Sequence, residues 1–247
     1  MAKELSKFKI RIAGQVVELV APGRMSYEFY RDFLTDSVTD LQIYIEEKDI
    51  GISSKGNKKD RNEIGWEGEV QLADILKKLA DRLVDYDILL MHGAAIAVDG
   101  NAYIFTAPSR TGKTTHVLKW LKYCPETIII NGDKPFIKIN KDGSTPLVCS
   151  SPWAGKEKLY TNVMVPVKAI IIMERSENNH IERISFSESF LYLLQQIYNP
   201  EDEEKMRKTL RLMQQMSSSV SFWHFQFNNF KEDCFDVAYR ALVLDQE

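Results

Sequence analysis

The chain has 247 residues, 44% of them hydrophobic and 27% charged, with a formal net charge of -3. That composition belongs to an ordinary globular protein long enough to bury its own core, as one large domain or a domain with a smaller appendage. The near-balanced charge gives no reason to expect a nucleic-acid or anionic-membrane partner, and polyanion binding would need a local patch.

Phe8, Ile10 and Ile12 alternate with Lys7, Lys9 and Arg11, the period-two pattern of a strand with one buried face. Gly14-Gln15 turns the chain back into Val16 to Val20, which predicts a hairpin. Ser26 is placed to cap a short helix holding Tyr27, Tyr30, Phe33 and Leu34, after which Leu41, Ile43 and Ile45 alternate again as a strand. Lys48 to Glu63 is polar and reads as a surface loop. It contains Asn57-Lys-Lys-Asp60, a match to the guanine-reading NKxD pattern of GTPases. That pattern normally follows a buried strand beyond the phosphate loop; here it precedes the loop in a polar segment, so it reads as a solvated charge run.

Leu72, Leu76, Leu79 and Leu83, widened by Ile75 and Ala80, predict an amphipathic helix of about 15 residues. Ile88 to Met91, His92-Gly93 and Ala94 to Val98 follow as a strand in which His92 is a polar residue in an apolar run. Asp99-Gly100 folds this strand directly back on Ala102 to Phe105.

The segment AYIFTAPSRTGKTTHVLKW, Ala102 to Trp120, reads as strand, loop and helix. Val117, Leu118 and Leu121 are the expected apolar residues of the helix. Inside it, Ala107-Pro-Ser-Arg-Thr-Gly112-Lys113-Thr114 matches a phosphate-binding loop with Ala in place of the usual first Gly. Loop and first-turn N–H groups converge on phosphate oxygens in such a loop, where unsatisfied donors and partial positive charge make an anion site. The expected nucleotide-binding residues are Pro108, Ser109, Arg110, Thr111, Gly112, Lys113, Thr114 and Thr115, with Lys113 on the terminal phosphates and the Thr114 hydroxyl on Mg²⁺. Because the strand feeding the loop has an antiparallel neighbour, the expected sheet is mixed.

Thr127 to Ile130 is a β-branched run ending in Asn131-Gly132-Asp133; Lys134 to Ile139 and Thr145 to Cys149 flank a hairpin signal at Lys141-Asp142-Gly143. Ser150 to Glu157 is a turn-rich loop carrying Trp153, either a substrate or nucleotide clamp or a plug at the end of the sheet. Val165 to Met173 is a buried strand. Phe190, Leu194 and Ile197, then Met206, Leu210 and Met213, mark two helices on either side of Asn199-Pro200. Val220 to Phe227 reads as a strand, and Phe235, Ala238 and Leu242 mark a terminal helix.

A nucleoside triphosphate needs Mg²⁺, which takes one or two hard oxygen ligands besides water and phosphate. Asp133, at the end of the strand after the loop's helix, is the expected carboxylate, as metal ligand or as the group that orients or deprotonates an attacking hydroxyl. His92 is the second catalytic candidate, with Lys113 as the third. His116 lies on the loop's helix, His180 in a polar turn and His224 in a late strand. Cys124, Cys149 and Cys234 are far apart and in no CxxC spacing, so neither a disulfide framework nor a zinc site is expected. The longest apolar runs fall far short of the ~20 residues that span a bilayer, and MAKELSKFKIR lacks a signal-peptide core. The expected compartment is the cytoplasm.

The order His92-Gly93, hairpin, APSRTGKTT, strand ending in Asn-Gly-Asp133, hairpin, Pro/Gly loop resembles the HPr kinase and phosphoenolpyruvate carboxykinase superfamily, including the HPr-kinase-like peptide kinases of lasso-peptide biosynthesis. The resemblance covers about Leu89 to Glu174. It implies an α/β (α+β) fold with a mixed, largely antiparallel sheet around the loop's helix. A small N-terminal α+β subdomain over 1–86 would pack on a nucleotide-binding core over 87–247. In that family a His-Gly, the phosphate loop and an Asp-Asp pair surround nucleotide and metal, and the second Asp acts on the substrate hydroxyl. His92, Lys113, Thr114 and Asp133 match; the first Asp is Gly132 here, which leaves His92 to contact Asp133 or a phosphate.

The resemblance implies an ATP- and Mg²⁺-dependent phosphotransferase acting on a hydroxyl, such as a serine of a small protein or peptide, with room for a homo-oligomer. Two alternatives stand beside it: a carboxykinase-like enzyme acting on a small phosphorylated acid, and a nucleotide-binding regulatory module without turnover.

Overall fold

The computed structural model describes residues 5–22, 27–44 and 65–245. The cap expected at Ser26, the polar loop Lys48 to Glu63 and the NKxD match at Asn57 to Asp60 lie outside the described residues. Strands β1 (Leu5–Ile12) and β2 (Gln15–Pro22) form the expected antiparallel hairpin, and β3 (Leu41–Tyr44) runs parallel to β2. Between them lies α1 (Tyr27–Tyr30), continued by a single 3₁₀ turn, Arg31–Phe33. Helix α2 (Gly65–Leu83) then leads to β4 (Ile88–Leu90).

Among the described residues nine strands join in one mixed sheet. They are β4, β5 (Ala94–Val98), β6 (Asn101–Thr106), β7 (Ile128–Asn131), β8 (Phe136–Lys138), β9 (Leu147–Cys149), β10 (Met164–Arg175), β11 (His180–Ile184) and β12 (Ser221–Phe227). The hairpin signals at Asp99-Gly100 and Lys141-Asp142-Gly143 fall where β5 meets β6 and β8 meets β9. The long β10 is the spine. Its start pairs with β9, and beyond an irregularity between Val167 and Ala169 it runs parallel to β6 on one side and β12 on the other.

Two expectations need correction. Ile88 to Val98 is not one strand: β4 pairs with β8 and β5 with β6 and β7, and the chain breaks at Met91 to Gly93. Gly93 lies at the break, where a Cβ would be 3.1 Å from the Phe105 carbonyl oxygen, so the backbone runs closer to β6 there than ordinary side-chain packing allows. His180 does not sit in a turn; it begins β11, whose alternation of His, Ile, Glu, Arg and Ile is too polar to announce a strand.

Helices cover both faces of the sheet. Period-two alternation sends Ala94, Ile96 and Val98 to one side, against α3 (Lys113–Tyr123) and α6 (Cys234–Tyr239). Ala95 and Ala97 face the other side, against α4 (Phe186–Gln196) and α5 (Glu203–Met216). The buried face of α3 is His116, Val117 and Trp120, whereas the expected Leu118 and Leu121 are 45% and 39% exposed. Trp120 and His116 fill the space over Phe105 that shorter aliphatics would leave, and this sets the helix's rotation. A further core cluster joins Ile10, Leu19, Tyr30 and Leu79 to Ile88, Phe136, Cys149 and Trp153.

Candidate functional site

One edge of the sheet collects the candidate residues, and topology explains why. Strands β6, β7, β10 and β12 point the same way, so the segments following them emerge together; β5 runs antiparallel, so the residues before it arrive at the same edge. The loop Ala107 to Gly112 follows β6, Gly132-Asp133 follows β7, Arg175 ends β10, Asn229 follows β12, and His92 precedes β5.

The loop is strapped from outside. The Arg175 guanidinium donates to the carbonyls of Thr111 at 2.8 Å and Arg110 at 2.6 Å, and the Asn229 amide donates to the Gly112 carbonyl at 3.3 Å. In a trans peptide the N–H points opposite to the C=O, so the N–H groups of Gly112 and Lys113 face away from these straps. Gly112 has φ +121°, a conformation side chains rarely adopt, and a Cβ there would lie 2.8 Å from Asn229 Nδ2. Lys113, Thr114 and Thr115 open α3, where first-turn amides have no acceptor one turn back; the first paired amide is His116, to Gly112 O at 3.0 Å. Pro108, Ser109 and Arg110 are exposed on the outer curve of the loop, and Arg110 has φ +65°.

Three side chains meet beneath the loop. Lys113 is buried and donates to the Ala107 carbonyl at 2.8 Å and the Pro108 carbonyl at 3.3 Å. Its Nζ lies 3.2 Å from His92 Nε2, which in turn lies 3.4 Å from Asp133 Oδ1. The other imidazole nitrogen, Nδ1, is 2.9 Å from Gln196 Oε1. If Nδ1 carries the proton donated to Gln196, Nε2 is an acceptor for Lys113; a proton on Nε2 goes instead to Asp133. The backbone fixes the same geometry, since His92 N donates to Gln196 O at 2.7 Å and Gly93 N to Asp133 O at 2.9 Å.

Burial pushes the Asp133 carboxyl up, but the His92 hydrogen bond and the charges of Lys134, His92 and Lys113 outweigh it, and the group lies below the usual carboxylate range. Burial lowers Lys113 against the opposing pull of Asp133, and lowers Lys134 in the same way.

Asn131 shapes the turn that presents Asp133. Its Oδ1 accepts from Asp133 N at 2.9 Å and Lys134 N at 2.7 Å, and its Nδ2 donates to Ser151 O at 2.9 Å. Gly132, where the resemblance led one to look for a carboxylate, has no space for one: a Cβ would lie 2.9 Å from the Ala154 carbonyl oxygen. Trp153 plugs the core, its ring edge-on to Phe29 and Tyr30 and its Nε1 donating to Leu72 O at 2.9 Å, while also walling a cleft beside Asp133.

The other histidines are apart from the triad. His116 is fully buried and accepts from Trp120 Nε1 at 3.0 Å; His224 Nε2 lies 2.9 Å from Glu174 Oε2. Gln196, Arg175 and Asn229 escaped sequence reasoning, because each reaches the site from a separate element without a motif.

The chemistry of this donor set suits a triphosphate with Mg²⁺: free first-turn amides, one ammonium, the Thr114 hydroxyl and one ionised carboxylate. Among the described residues no cluster of three His, Cys, Asp or Glu side chains could by itself hold a metal ion. Nor is any helix among them long and apolar enough to cross a membrane. No family model and no curated protein matches the chain. Among solved structures, the chain is similar to the HPr(Ser) kinase/phosphatase from Coxiella burnetii at 10% identity and a TM-score of 0.39, over 64% of this chain and 99% of that chain.

Proposed function

We propose that the protein binds a nucleoside triphosphate, ATP, with Mg²⁺ at the loop 107–112 and the start of α3, and transfers its terminal phosphoryl group to a hydroxyl of a small protein or peptide. The observation that carries this is the meeting of Lys113, His92 and Asp133, each within 3.4 Å of its neighbour, directly beneath a strapped loop with free amides. When bound, the magnesium nucleotide supplies the phosphoryl group and screens the charge on its oxygens. Lys113 leaves the Ala107 and Pro108 carbonyls for the terminal phosphate oxygens, and Thr114 provides a hydroxyl ligand. Asp133, ionised at neutral pH, accepts the hydrogen bond of the acceptor hydroxyl and takes its proton as the new P–O bond forms and the bond from the γ-phosphorus to the β–γ bridging oxygen breaks, releasing ADP. His92, steadied by Gln196, holds the carboxylate in place. Phosphoryl transfer depends chiefly on positioning and charge stabilisation, so this small set suffices.

The test is label transfer from γ-labelled ATP to protein, peptide and metabolite fractions. A protein that binds ATP yet labels none of them overturns the reading. Asp133→Asn is expected to lower turnover by orders of magnitude while leaving nucleotide affinity nearly unchanged. A second reading, a nucleotide-binding module without turnover, draws on Gly132, whose tight packing leaves no room for a carboxylate at that position. It predicts that wild type and Asp133→Asn are equally silent in the label assay.

A further inference from the structure

Beside Asp133 lies a cleft of about 590 Å³, walled by Phe29 of α1, Leu72 of α2, and Trp153 and Tyr160 of the segment after β9. That volume is in the range of ligand-binding clefts, and mostly apolar walls with a few polar groups at one end are typical of them. Asp133 and Lys134 stand side by side in its lining, and Arg31 and Lys158 also line it.

The cations are not equivalent. Arg31 is already paired, 3.1 Å from Glu28 and 3.5 Å from Asp32. The ammonium groups of Lys134 and Lys158 make no ion pair or hydrogen bond among the described residues. Lys158 is exposed and well hydrated, but Lys134 is half-buried and its ammonium is drawn to Asp133 alone, without a hydrogen bond, so a second anion would offset the cost of withdrawing it from water. The Asp133 carboxylate beside it is engaged with His92.

We propose that this cleft is the acceptor site, and that it takes a peptide segment in which the hydroxyl-bearing residue is flanked by an acidic side chain. This rests on the phosphotransferase reading above. The hydroxyl reaches Asp133, the neighbouring carboxylate pairs with Lys134, a further acidic group meets Lys158 at the rim, and apolar side chains lie on Phe29, Trp153 and Tyr160. The volume of the cleft and its apolar walls favour a peptide over a small hydroxy acid, which would leave Phe29, Trp153 and Tyr160 uncovered.

The experiment uses a serine-centred degenerate peptide library in two arms, label transfer from γ-labelled ATP and equilibrium binding without nucleotide, with a hydroxy-acid mixture as a parallel substrate. Wild type is expected to label and bind preferentially the pools with Asp or Glu fixed next to the serine. Lys134→Met is expected to weaken binding of those pools about tenfold or more, the loss of one charge-assisted pair. Lys158→Glu, at an exposed position that does not threaten folding, is expected to shift preference at the outer position from acidic to basic residues.

Label transfer without acidic preference, or preference unchanged in both variants, overturns the cleft assignment and leaves the phosphotransferase reading standing. Transfer only to hydroxy acids overturns it equally. Acidic pools that bind wild type but not Lys134→Met, with no transfer at all, support the cleft and overturn the transferase. Neither binding nor transfer overturns both.

Discussion

Single residues divide by whether chemistry or neighbours dictate them. Lys113, Thr114 and Asp133 were legible as candidates because their spacing matches a phosphate-loop string and the strand end beyond its helix, and His92 because it interrupts an apolar run. Gln196 and Arg175 were not, since their partners lie 104 and 64 residues away and only the folded sheet edge unites them. The glycine at 132 was legible as a departure but not as a constraint. With the Ala154 carbonyl 2.9 Å from the position of a Cβ, Gly132→Asp is expected to destabilise the protein rather than restore a carboxylate pair. A displaced backbone contact of this kind costs about 1–3 kcal/mol, which for a chain of this size lowers Tm by roughly 2–12 °C. Calorimetry on Gly132→Ala and Gly132→Asp would check it, both variants melting early and neither gaining turnover.

At the scale of elements, the hairpins and the loop-helix unit followed from turn residues and periodicity, whereas the rotation of α3 did not. Its hydrophobic pattern pointed to Leu118 and Leu121, but the larger Trp120 and the ring of His116 win the buried face. That choice places a titratable group in the core. Burial, with a smaller push from Lys119, lowers His116 from 6.5 to about 3. The folded state therefore resists a proton that the unfolded chain takes up, so the stabilisation is complete above about pH 6.5 and is lost as pH falls towards 3. The slope is about 1.4 kcal/mol per pH unit, or about 2 kcal/mol between pH 6.5 and 5. His116→Gln keeps an acceptor for the Trp120 indole and removes the titration, so its Tm is expected to fall less over that interval than that of wild type.

The end of β10 acts at the same scale. Arg175 is exposed and carries little of the folding free energy. It is nonetheless one of the groups holding the loop's carbonyls outward. Arg175→Ala is expected to weaken ATP binding by about tenfold, as two charge-assisted bonds to the loop are lost, with Tm almost unmoved. Titration calorimetry paired with a melting curve separates the two effects.

Over the whole molecule, the N-terminal hairpin and α2 do not form a core of their own. Ile10, Leu19 and Leu79 share one cluster with Ile88, Phe136 and Trp153. The alternation in β1 announced a strand but could not say what it would cover, since nothing local to residues 5–12 encodes a partner as distant as Trp153. Removing residues 1–86 would strip Ile88, Leu90, Phe136 and Trp153 of their cover. The remainder is expected to lose its cooperative melting transition, which circular dichroism of the truncated chain would show. Two further ties cross the same boundary: Tyr160 Oη donates to Asp32 Oδ2 at 2.8 Å and the Asn162 amide to Asp32 O at 2.7 Å. The cleft beside Asp133 therefore has one wall from each side of this seam, Phe29 and Leu72 facing Trp153 and Tyr160. An occupant is thus also a clamp across the seam, and mass action makes the whole protein more heat-resistant as its concentration rises, by about 2.7 kcal/mol at a hundredfold excess over Kd. Melting curves consequently become a screen for ligands of this cleft that needs no turnover at all.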